Sequence, residues 1–81
     1  MVEGGGGLPA GALADVLLQL PPPDRPAPYG QIAEAVRNPG IDLLLFELRR
    51  RGWAARRMIG GRSHWCATEA GLAALHEGVH P

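Results

Sequence analysis

The triplet Pro21-Pro22-Pro23 limits what this 81-residue chain can fold into more than any other stretch. Proline has no amide proton and its ring clashes with the preceding turn, so no helix runs through it. One helix must end there and everything after must start afresh. From Leu8 to Leu20 the residues Leu13, Val16, Leu17 and Leu20 recur at helical spacing, and Pro9 suits a first turn. Residues 1–7, with Gly4 to Gly7, read as a flexible leader, because four glycines lose much entropy on ordering.

The same punctuation divides the rest. "RPAP" (25–28) reads as an extended connector, and "YGQIAEAV" (29–36) puts Ile32, Ala33 and Val36 on one face of a short second helix. Asn38-Pro39 reads as an N-cap followed by proline at the first helical position. A third helix then runs to about Arg51 and ends at Gly52. Two or three residues therefore separate helices two and three, as in a helix-turn-helix. "WAARRMI" (53–59) and "SHWCA" (63–67) flank "GGR" (60–62), a β-hairpin with a glycine turn. Trp53 and Trp65 lie on its two strands, where core packing of the pair across the hairpin is expected ahead of the alternative, stacking of one of them on a flipped or single-stranded base. Thr68 reads as the N-cap of a last helix, "EAGLAALHE" (69–77), packed through Leu72 and Leu75, and residues 78–81 as a frayed tail.

A chain of this size makes one small domain, here residues 8–77. Its 46% hydrophobic and 20% charged residues fit a folded domain rather than a disordered one. No apolar run approaches the roughly 20 residues that span a bilayer, so no membrane partner is expected. "MVEGGGGLPAG" has neither a basic start nor an apolar signal core, and the single Cys66 allows no internal disulfide. A cytoplasmic setting is the expectation.

Charge is segregated although the total is zero. "RRRGWAARRMIGGR" (49–62) holds six of the eight arginines and no acid, whereas residues 1–48 hold six acids against Arg25 and Arg37. Segregation on this scale speaks about partners, because an ordinary solvated face mixes its signs.

Three helices, a hairpin and a closing helix resemble the winged helix-turn-helix superfamily. The stretch "LRRRGWAARRMIGGRSHWCATEAGLAAL" carries the likeness: Gly52 after the third helix, a basic hairpin, then Thr68, Gly71 and Leu75 in a Thr-x-x-Gly-x-x-x-Leu opening of the last helix. The likeness covers about residues 10–77. It implies an α+β fold with a three-helix core, a two-stranded β-hairpin wing and a closing C-terminal helix; another small α+β domain is the alternative. It also implies double-stranded DNA as partner, with Arg49, Arg50, Arg56, Arg57 and Arg62 on phosphates. Arg62 at the hairpin tip is placed to reach a narrow minor groove. Arg51 is assigned to the acidic segments instead. A small transcriptional regulator or accessory factor, with no cofactor and no enzyme activity, is the function so implied.

The third helix argues in another direction. Ile41, Leu44, Leu45 and Leu48 share its inward face, which leaves Asp42, Leu43, Phe46, Glu47 and Arg50 outward. Asp42 and Glu47 repel phosphates, and Phe46 offers bases only apolar contact. Leu43 and Phe46 side by side fit a protein-docking patch or homodimer contact, or are covered by the leader or the connector. A protein–protein interaction module is thus the second reading.

"PYGQIAEAV" (28–36) is similar to the second-helix segment of the O6-alkylguanine alkyltransferases and their alkyltransferase-like relatives, which also use a helix-turn-helix on DNA. Their Pro-Cys-His-Arg or Pro-Trp-His-Arg site is absent here, and Cys66 in "HWCAT" lacks a base motif around it, so an alkyl acceptor is not expected. His64 with Cys66, and His76 with His80, do not assemble the four ligands of structural zinc. No catalytic set and no phosphate loop emerge.

Overall fold

The structure is a computed structural model that describes residues 10–78. The expected leader, Pro9 and the tail beyond Gly78 lie outside the described residues. Four helices and a three-stranded antiparallel sheet make up the described chain, an α+β architecture.

Helix α1, Ala10–Gln19, buries Leu13, Val16 and Leu17, and Leu20 follows them into the core before the prolines end the turn. The connector does more than extend. Ala27–Pro28 forms strand β1 and pairs with the second hairpin strand, Ala27 opposite Trp65 and Pro28 opposite His64. An edge position tolerates a proline because its missing N–H is not needed there. The expected two-stranded wing is therefore part of a three-stranded sheet.

Helix α2, Tyr29–Val36, buries Ile32 and ends at Arg37 in the left-handed region, φ 55°. Helix α3 begins at Ile41, with Gly40 as its N-cap, so residues 37–40 separate the two helices instead of two or three. Asn38 does not cap α3 as the Asn-Pro pair suggested. Its Oδ1 accepts from the Gly40 amide at 2.7 Å, and its carbonyl accepts from Ile41 at 3.0 Å. An asparagine reaches the amide two residues on more readily than one further away, so it closes a turn before the helix.

Helix α3, Ile41–Arg50, buries Ile41, Leu44, Leu45 and Leu48, the four residues its periodicity turned inward. Its end is a Schellman motif. Trp53 N–H donates to Leu48 O at 2.9 Å, Gly52 N–H donates to Arg49 O at 3.0 Å, and Gly52 sits at φ +81°. Strands β2, Ala54–Ile59, and β3, Arg62–Ala67, follow, joined by Gly60 and Gly61 at φ 58° and 78°. Positive φ at both central residues is the tight-turn geometry whose twist matches paired strands.

The two tryptophans do not face each other. Trp53 is consumed in ending α3, the strand starts one residue later, and the register places Arg56 opposite Trp65. Helix α4, Glu69–Glu77, starts at Thr68, whose Oγ1 accepts from Gly71 N at 3.0 Å and donates to Gly52 O at 2.6 Å. A cap of this kind contributes about 1 kcal/mol. Gly71 and Leu75 turn inward, whereas Leu72, expected in the core, is 44% exposed. With Gly71 and Leu75 one turn apart on the buried stripe, Leu72 is rotated out. Leu13, Leu17, Ile32, Leu45 and Leu48 form the centre of the core, roofed by Ala27, Ala54, Trp65 and Ala67 of the sheet. Among the described residues, no helix is long and apolar enough to cross a membrane.

Candidate functional site

The sheet and α3 do not close on each other at the hairpin end. Between them, and beneath the start of α2, lies an open cleft of about 930 Å³. Helix α3 contributes Asp42, Leu45, Phe46 and Arg49 to its walls, and α2 contributes Tyr29 and Gln31. The sheet contributes Arg56, Arg62, Ser63 and Trp65.

Strand alternation separates Arg56 from Arg57 but does not by itself account for Arg62. Arg56 shares the core-facing side with Trp65, beside which it donates from Nε to Ser63 Oγ at 3.0 Å. Arg57, one residue on, takes the opposite face with His64. Arg62 starts β3 next to the turn on the face that alternation gives to His64 and Arg57, yet it borders the cleft there, at the end of the ribbon where twist is greatest. Arg49, on the last turn of α3, completes the group. Three of the six clustered arginines thus converge from α3, β2 and β3.

The others are placed differently. Arg50 donates to Glu47 through Nε at 2.9 Å and Nη2 at 2.7 Å, and Arg51 Nε donates to the same carboxylate at 2.6 Å. The Arg51 guanidinium also lies 5.1 Å from the centre of the Trp53 ring, within cation–π reach. Glu47, expected to repel phosphates, therefore has its charge met by two cations.

The hydrogen bonds from Arg50, and after them those from Arg51, hold the Glu47 carboxyl down from the usual 4.5 to about 2. The sign follows directly. A depressed carboxylate adds stability above about pH 4.5, and that contribution fades as pH falls through about 2. An NMR titration of the Glu47 carboxyl should give a midpoint near 2, and Arg50→Ala should raise it more than Arg51→Ala. A midpoint at the ordinary glutamate value would show that the pairing does not persist in solution.

At the other end of the cleft, Tyr29 Oη donates to Asp42 Oδ1. That bond, with some burial, raises the tyrosine above its ordinary 10. The pairing spans thirteen residues of sequence and joins two helices, so no local signal announced it. For Trp65 core packing is the expectation, ahead of stacking on a base. It is 8% exposed and lines the cleft, and among the described residues its Nε1–H has no hydrogen-bond partner. A buried donor left unpaired costs about 1–3 kcal/mol.

Leu43 and Phe46 stand 65% and 63% exposed on α3, and the proline connector covers neither. Phe46 faces the cleft. His64 and Cys66, two residues apart on β3, share one face, His80 lies outside the described residues, and no group of three metal-ligating side chains occurs among the described residues. Cys66 is buried as a free thiol.

Compared with known protein families, curated proteins and solved structures, the chain has no match.

Proposed function

We propose that the chain is a DNA-binding winged-helix protein, a small transcriptional regulator or accessory factor that meets the duplex backbone through the end of α3 and the hairpin. The observation that carries this reading is the convergence of Arg49, Arg56 and Arg62 from three elements on one open side of the molecule. Guanidinium groups gathered there neutralise phosphates and release their counterions, a gain that weakens as salt rises. The order of the elements supports it too. The pair α2 and α3 is followed directly by a glycine-turned hairpin and a Thr68-capped helix.

Titrating the protein with a short duplex at rising salt should give a log–log slope of about −3, one unit for each converging arginine. Arg62→Ala should make that slope shallower by about 1, and Arg57→Ala, on the other face of the sheet, by less. The exposed Leu43 and Phe46 favour the second reading, a protein-docking module. Absence of duplex binding at low salt, together with self-association in sedimentation, would replace the first reading with the second.

A further inference from the structure

We propose that the cleft between α3 and the sheet takes one unstacked nucleotide of a DNA strand, with its base against Phe46 and its phosphate among Arg49, Arg56 and Arg62. The inference rests on the DNA-binding reading and adds the state of DNA that the protein prefers.

Phosphates of a continuous backbone need only cations on an open surface, and apolar depth gives them nothing. Here the arginines border a hollow of about 930 Å³ with Leu45, Phe46 and Trp65 in its walls. That volume lies within the range of small-molecule sites. A single nucleotide has the same division, a flat π-faced base beside a charged phosphate. Phe46, 63% exposed, offers a ring face that no other side chain needs to cover for the core to close. Stacking of a base on an aromatic ring is sequence-tolerant and strong. Guanidinium groups match phosphate oxygens two at a time.

Trp65 adds a second aromatic side chain to the cleft: it is more than nine-tenths buried and lines the wall, so a base entering beside Phe46 meets apolar surface there too. A base held in an intact helix cannot enter the cleft. It must leave the stack, which is easiest where it is already unpaired.

The experiment compares three ligands of the full chain at one salt concentration: an intact short duplex, the same duplex with a single unpaired 2-aminopurine, and free 2-aminopurine deoxynucleoside monophosphate. The bulged duplex should bind about tenfold more tightly than the intact one. Its 2-aminopurine emission should be quenched on binding, and the Trp65 indole N–H signal should shift. Phe46→Ala should bring the two duplex affinities together, while Phe46→Tyr should keep them apart. Because Phe46 is exposed, neither variant threatens the fold, which circular dichroism verifies.

Equal affinities with unchanged emission overturn the inference and leave the DNA-binding reading standing. Failure to bind any DNA overturns both. A free monophosphate that binds as tightly as the bulged duplex and displaces it overturns the assignment to a DNA strand.

Discussion

Replacing Gly71 with alanine is expected to destabilise the fold by about 3 kcal/mol, the upper end of the usual overpacking range. By helix propensity alone the change should help by about 1 kcal/mol. The contact overrides it. A Cβ on Gly71 would lie 2.1 Å from the Trp53 carbonyl oxygen, 3.0 Å from its carbon and 3.2 Å from Leu17 Cδ1. Two of these three atoms are backbone, so no rotamer change relieves the clash. Lifting α4 instead would disturb the bond from Thr68 N–H to Trp53 O and the Thr68 cap on Gly71. In a domain of this size the loss should lower the melting temperature by about 12–24 °C. Gly11→Ala is the control. Nothing lies within 4 Å of a Cβ there, so it should be neutral or stabilise by about 0.5–1 kcal/mol. If Gly71→Ala melts like Gly11→Ala, α4 does not rest on Trp53.

The triple variant Arg49→Ala, Arg56→Ala, Arg62→Ala should lower duplex affinity about 1,000-fold at low salt and remove most of the salt dependence. Each charge-assisted contact contributes about 1.5 kcal/mol, roughly tenfold, and three are lost. All three side chains belong to exposed residues, and the Arg56–Ser63 bond is a surface contact of small energy, so the melting curve should hardly move. The matched control removes Arg50, Arg51 and Arg57. It deletes the same charge, but two of these cations are bound to Glu47 and the third lies on the far side of the sheet. Its affinity should fall much less. Equal losses would mean that net charge, not convergence, governs binding, and the site described above would have no special standing.

These two predictions differ in what sequence reasoning had to offer. Thr68, Gly71 and Leu75 were visible as a motif, yet the reason for a glycine at position 71 was not. It lies in the carbonyl of Trp53, eighteen positions earlier in the chain and brought near by the ending of α3. The same ending displaced the tryptophan pair. Once Trp53 completed the Schellman turn, β2 had to begin at Ala54, and Arg56 became the neighbour of Trp65. The outward turn of Leu43 and Phe46 was legible, because four apolar residues at helical spacing leave a helix only one way to face. The compensation of Glu47 by two arginines sits at i,i+3 and i,i+4 spacing. That signal was present in the sequence and was passed over in favour of phosphate repulsion.

From residue order alone came the four helices and the hairpin in approximate position, the α+β class and the gathering of positive charge into one stretch, but not strand β1 or the starts of α3 and β2. What it supplied is local, fixed by proline and glycine backbone chemistry and by the period of apolar residues. Only the folded chain decided which arginines stand together. Neighbouring strand residues point to opposite faces, so Arg56 and Arg57 part company as soon as a register is chosen. That register depends on how a helix ends, how a two-glycine turn twists and what the sheet is laid against. Those choices are made between segments distant in the chain, where periodicity carries no information.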